Sequence, residues 1–139
     1  MECTLHRLVA DVALFAEGKV LLVKYRDVGA YDGQRGWFLP DDFLQPFEHP
    51  NDAAKRIVAD QTGVPDADLG LANIESFGND WWHLVFHYRA DLAAIPQIDQ
   101  RENVAEASWF DLDHLPDSGE MAHHGWASET IEAIRREPG

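Results

Sequence analysis

Residues 36–64 read GWFLPDDFLQPFEHPNDAAKRIVADQTGV, and the second half of this stretch marks both ends of a helix. Pro50 suits a first helical turn, where its missing N–H costs no hydrogen bond, and Asn51 and Asp52 suit the positive end of the helix dipole. Gly63 supplies the stop, because glycine accepts the left-handed backbone that closes a helix. Between them Ala54, Ile57, Val58 and Gln61 recur at helical spacing, so a helix is predicted over residues 50–62. Ahead of it, Trp37-Phe38-Leu39 is a short apolar run stopped by Pro40, and residues 41–49, which hold a second proline at Pro46, are expected to be irregular.

Strand patterns surround this helix. Residues 8–15 and 19–25 are apolar runs joined through Glu17-Gly18, which predicts a tight hairpin. Residues 26–36 are a polar loop with Gly29, Gly33 and Gly36. Strands are predicted again over residues 69–77, 81–92 and 107–111, and a last helix over 127–136. Alternation along 81–92 assigns Trp82 to the core and places His83 and His87 on the opposite strand face. Strands, one central helix, more strands and a terminal helix predict an α/β (α+β) sandwich with a central mixed sheet.

Composition narrows the function classes. The chain has 139 residues, 45% of them hydrophobic, without repeats or Gly/Ser linkers, which fits a single domain over 1–139. Its 25 acidic residues against 11 basic ones leave a formal charge of −14. That excess opposes nucleic acid, whose binding rests on Lys and Arg neutralising phosphates, and opposes anionic membrane surfaces. No apolar run approaches the roughly 20 residues needed to span a bilayer, and the start Met1-Glu2-Cys3-Thr4 carries no secretory pattern, so a cytoplasmic address is the expectation. The lone Cys3 excludes an internal disulfide and a cysteine zinc site. Small phosphorylated ligands remain compatible, since a divalent ion or a few local arginines can mask carboxylates.

The stretch from Gly36 to Val64 resembles the Nudix box, whose usual form is a Trp-x-Leu-Pro-Gly-Gly lead-in followed by G-x5-E-x7-R-E-U-x-E-E-x-G-U, with U a bulky aliphatic residue. Trp37, Leu39 and Pro40 match the lead-in, Glu48 the first glutamate, Ala53, Ala54 and Arg56 the Ala-Ala-x-Arg, Val58 the aliphatic, and Gly63-Val64 the ending. The flanks agree: residues 20–23, VLLV, resemble the family's second strand, and 109–116, WFDLDHLP, resemble its W-F-x-L-D-E-L-P segment. The resemblance implies a Nudix-type α/β/α sandwich. It also implies hydrolysis of a nucleoside diphosphate linked to another moiety, with Mg²⁺ or Mn²⁺ held by helical glutamates and a backbone carbonyl of the Gly-Gly turn.

The box departs from that pattern where the chemistry sits. Ile57 stands for the glutamate after the arginine, Asp60-Gln61 for the Glu-Glu pair, and Asp41-Asp42 for the turn glycines. Positions 57, 60 and 61 are neighbours on one helix face, so a triad of carboxylates is reduced there to Asp60 alone. Mg²⁺ prefers octahedral oxygen coordination and tolerates one missing protein ligand better than two. Glu48, Arg56 and Asp60 are therefore the candidate catalytic residues, and Asp60, Glu48, Glu102 and Glu106 the candidate ligands for weakly held Mg²⁺ or Mn²⁺. Glu102 and Glu106 enter because many family members draw a late metal ligand or base from the segment ahead of Trp109. An ion pair between Glu48 and Arg56, bracing the loop on the helix, is the plainer reading of those two residues.

Arg26 and Arg35 flank the glycine-rich loop and are candidate phosphate contacts, while Tyr31 and Trp81 are candidates to stack on a flat ligand group. Together these residues describe a Nudix-fold protein that binds a nucleoside-diphosphate-type or other small phosphorylated ligand, with weak or no standard Mg²⁺-dependent hydrolysis. The alternative is an active divalent-metal-dependent hydrolase, and the family resemblance admits a homodimer.

Overall fold

The fold is seen in a computed structural model that describes residues 6–27, 35–65, 67–78, 82–99, 103–122 and 125–136. Strands β1 (His6–Ala16) and β2 (Lys19–Tyr25) form a hairpin closed by Glu17 and Gly18, at φ 50° and 74°. Two successive left-handed residues match the twist of a tight hairpin turn. Only Phe15 with Val20 and Ala16 with Lys19 pair before the strands part. Residues 37–43 fill the opening: Phe38 bridges Val23 on one side, and β3 (Asp41–Phe43) runs antiparallel to β1 on the other, with Asp41 opposite Asp11.

Strands β4 (Gly70–Gly78), β5 (Trp82–Leu92) and β6 (Val104–Asp111) complete a mixed sheet of order β4-β5-β1-β2-β6, with β3 attached to β1. Among these described strands only β1 and β5 run parallel; the other strand pairs are antiparallel. Helix α1 (Pro50–Thr62) covers one face and α2 (Trp126–Arg136) the other. Along β1, Ala10, Val12 and Leu14 join Ala53, Ala54, Ile57 and Val58 of α1, while Ala13 and Phe15 join Ala127, Ile131 and Ile134 of α2. The period of two along the strand thus feeds two cores, in which each fully buried aliphatic side chain contributes about 1.5–3 kcal/mol. This is the mixed-sheet sandwich expected from the order of elements.

Helix α1 spans the predicted residues. His49 caps it, its Nδ1 accepting from the Asn51 N–H at 3.0 Å, and Gly63 closes it at φ 72° with its N–H donating to the Ala59 carbonyl at 3.1 Å. Two expectations are corrected. Residues 41–43 form β3 rather than irregular chain, because β1 lost its β2 partner and needed another for its backbone groups. Trp82 is 45% exposed rather than in the core: it starts β5 opposite Gly78, at a corner of the sheet beyond the β1 and β3 ground on which α1 mainly packs. Its indole N–H instead donates to Ser76 Oγ at 2.7 Å. No helix among the described residues is long and apolar enough to cross a membrane.

Candidate functional site

The site forms where the inserted segment meets α1. Arg56, on the second turn of α1, reaches back over residues 42–48. Its Nε donates to Glu48 Oε2 at 2.9 Å and its Nη2 to Glu48 Oε1 at 3.0 Å, a two-pronged pair. Nη1 donates to Asp42 Oδ2 and Nη2 to the Phe43 carbonyl, both at 3.0 Å. The Glu48 carboxylate also accepts from the Gln45 N–H at 3.0 Å, bracing the turn from within. Hydrogen bonding to Arg56 holds the Glu48 carboxyl below its ordinary range, and the same contacts raise the guanidinium. Both Glu48 oxygens are spent on this clamp.

One helical turn further along, a neutral amide makes the contacts. Gln61 is 4% exposed, and its Nε2 donates to the backbone carbonyl of Asp41 at 2.8 Å. Its Oε1 accepts from the Tyr25 hydroxyl at 2.8 Å, while the Tyr25 oxygen accepts from the Asp41 N–H at 2.9 Å. Three residues far apart in sequence thereby close a ring of hydrogen bonds around the Asp41 backbone. Neither Asp41 nor Asp42 has a positive φ, so the turn built by glycines in the resembling pattern has become strand β3. Ile57 is fully buried in the core beneath α1.

This donor set does not fit a divalent ion. The Asp41 carbonyl already accepts an amide proton at hydrogen-bond distance, Gln61 directs an N–H rather than a lone pair toward it, and Ile57 offers no oxygen. Asp60 keeps a half-buried carboxylate that makes no hydrogen bond or ion pair to another described residue. Among the described residues there is no group of three or more His, Cys, Asp or Glu able to hold a metal ion.

The remaining candidates lie apart from this meeting point or outside the described residues. Glu106 is exposed on β6 opposite Lys24, whose ammonium lies 4.7 Å from the Trp37 ring centroid; it is the next residue, Tyr25, that turns toward α1. Arg26 and Arg35 are exposed, at the end of β2 and just ahead of Gly36. Gly36 itself has φ 107°, and a Cβ there would meet the Glu120 carbonyl oxygen at 2.6 Å, so only glycine lets Trp37 pair with residues 120–122. Tyr31, Trp81 and Glu102 lie outside the described residues.

A buried polar cluster went unforeseen in the sequence. On the sheet face under α2, His87 Nδ1 lies 2.6 Å from Asp11 Oδ1 and its Nε2 lies 2.6 Å from Glu75 Oε1. Asp11 and His87 are side by side in the parallel register of β1 and β5. Burial pushes the Asp11 carboxyl up, against the pull of His87; burial lowers the His87 imidazole, but its bonds to Asp11 and Glu75 outweigh that and raise it. With a carboxylate at each ring nitrogen, the imidazole serves both best as a doubly protonated donor. The available signal was Asp11 itself, a lone carboxylate inside the apolar run LVADVALF.

Comparison with known proteins agrees with this architecture. The chain is similar to the MutT NUDIX hydrolase of Burkholderia pseudomallei, at 20% identity and a TM-score of 0.73, over 94% of this chain and 97% of that one. It is similar to the MutT protein of Methanosarcina mazei Go1, at 16% identity and a TM-score of 0.74, over 98% and 97%. It also matches the NUDIX domain of Shewanella oneidensis NrtR, solved in complex with ADP ribose, at 20% identity and a TM-score of 0.71, over 97% and 88%. No curated protein matches the sequence. The family model described as the NUDIX domain matches residues 5–133, and the chain belongs to that family.

Proposed function

We propose that this protein is a binder built on the NUDIX fold, taking a nucleoside-diphosphate-type or other small phosphorylated ligand with weak or no standard Mg²⁺-dependent hydrolysis. The observation that carries this reading is the hydrogen bond from Gln61 Nε2 to the Asp41 carbonyl. It satisfies, with a neutral amide, a carbonyl that the resemblance would give to a metal ion. The Arg56 clamp on Glu48 and Asp42 supports the same reading, because it holds the loop in place without a cation. The ligand class is supported by the related Shewanella domain, which was solved with ADP ribose. The formal charge of −14 favours a compact phosphorylated ligand over a nucleic acid.

Calorimetry and phosphate release on the same protein test this. Nucleoside diphosphates and ADP ribose are expected to bind saturably in the absence of divalent ions, with no turnover when Mg²⁺ or Mn²⁺ is added. Metal-dependent turnover that disappears in Asp60→Ala would overturn the proposal in favour of an active hydrolase.

A further inference from the structure

Asp11 sits in the middle of β1 at 1% exposure, and only one of its carboxylate oxygens is matched. Oδ1 is tied to His87, whereas Oδ2 is buried without a hydrogen-bond partner. Folded proteins leave few buried acceptors unmatched, because each such group loses its hydration without replacement. Asp11 lines a narrow cavity together with Trp37, Leu39, Asp41, Trp126 and Ala127. The cavity adjoins the site above through Asp41, which lies directly across β1 and β3 from Asp11.

The chemistry of the walls selects what fits. Trp37, Trp126, Leu39 and Ala127 are large or apolar surfaces, the ionisable residues on the lining are both acidic, and no lysine or arginine is among them. The space measures about 10 Å³, room for about one water-sized group rather than a whole ring. An amino group is of that size and brings hydrogen-bond donors. A carbonyl oxygen in the same place would bring lone pairs against the Asp11 carboxylate. His87, pinned on its far side by Glu75, fixes the Asp11 carboxylate so that Oδ2 cannot turn away to find another partner.

We propose that Asp11 determines ligand specificity: its Oδ2 accepts from the exocyclic amino group of an aromatic nitrogen ring and rejects rings that carry an oxygen there. This rests on the reading of the chain as a binder of nucleoside-diphosphate-type ligands. His87 acts as a positioning residue for Asp11. Selection of this kind is strong because the wrong ring leaves a buried acceptor facing another acceptor.

The test is calorimetry on the wild-type chain with two matched pairs of nucleotides, CDP against UDP and ADP against IDP, which differ at an amino-for-keto exchange. The amino member of at least one pair is expected to bind about 10- to 100-fold more tightly, the range that an unmatched buried acceptor implies. In Asp11→Asn, whose side-chain amide can donate as well as accept, that preference is expected to fall to within about threefold. Equal binding within both wild-type pairs, or a preference that survives intact in Asp11→Asn, overturns the Asp11 assignment and leaves the proposed function standing. Failure of all four nucleotides to bind overturns this inference, and the proposed function falls with it only if ADP ribose, measured in the same way, also fails to bind. The wild-type comparison does not depend on whether a variant folds.

Discussion

The side-chain amide of Gln61 and the backbone carbonyl of Asp41 meet at 2.8 Å, so an N–H rather than a lone pair faces that carbonyl. Exchange of the amide for a carboxylate, in Gln61→Glu, sets an anionic oxygen against that carbonyl at the same distance. Without a cation the variant is expected to lose about 1–3 kcal/mol, the cost of a buried acceptor left unmatched. Millimolar Mn²⁺ is then expected to restore part of its melting temperature, because an ion bound only by the folded state stabilises it. Thermal melts with and without Mn²⁺ check this. The wild type should not respond, and a Gln61→Glu variant equally indifferent to the ion would mean that this pair of atoms does not control metal binding.

Ile57 marks the other lost glutamate, and here reversal is expected to fail. The side chain is fully buried among Ala53, Val58 and the β1 residues Val12 and Leu14. Ile57→Glu would place a carboxylate in that core with no partner. It is expected to cost several kcal/mol, against about 0.5–1.5 kcal/mol for Ile57→Val. Urea unfolding of the two variants separates these outcomes. Near-wild-type stability for Ile57→Glu, with tight divalent binding, would show that α1 can turn this face outward.

How far the sequence disclosed these features depended on how local they were. Helix α1 was legible because Pro50, Asp52 and Gly63 act within one turn of its ends. The hairpin of β1 and β2 was legible for the same reason. Strand β3 was not, since a three-residue segment becomes a strand only by pairing with β1, some thirty residues earlier in the chain. The loss of glutamates at positions 57 and 61 could be read directly, but the partners of Gln61 could not. One is a backbone carbonyl and the other is Tyr25, a residue that looked like an ordinary strand aromatic. The Asp11, His87 and Glu75 cluster joins three strands, and nothing in the spacing of those residues announces it.

Arg56 gives a prediction about geometry as well as charge. Four hydrogen bonds converge on Glu48, Asp42 and the Phe43 carbonyl from one planar guanidinium. Arg56→Ala is expected to lose about 1.5–3 kcal/mol, and Arg56→Lys to recover less than half, since a single ammonium cannot reproduce the fork. Glu48 should report the same event by titration. Its carboxyl is lowered by Arg56, so the pair's contribution is present above the ordinary glutamate value of about 4.3 and is lost as pH falls through the lowered one. Urea midpoints together with the NMR titration of Glu48 check both statements. A lysine variant as stable as wild type would sink the geometric claim.

The buried cluster under α2 predicts a pH dependence of the opposite sign. His87 and Asp11 are both raised relative to their ordinary values, so the folded state holds more protons here than the unfolded chain does. Stability therefore falls with rising pH wherever these groups lose protons in the folded state. The contribution of His87 is complete below about 6.5, the ordinary histidine value, and disappears as pH climbs through the raised value of the folded protein. The groups that face the imidazole are Asp11 and Glu75 from the neighbouring strands and the Trp126 ring, 5.8 Å away, from α2. Urea unfolding across the neutral and mildly alkaline range should show wild-type stability declining. In His87→Gln, which can still place an amide between the carboxylates but cannot titrate, that part of the slope should vanish. A wild-type curve parallel to that of His87→Gln throughout the range would mean that the imidazole carries no extra proton in the folded protein.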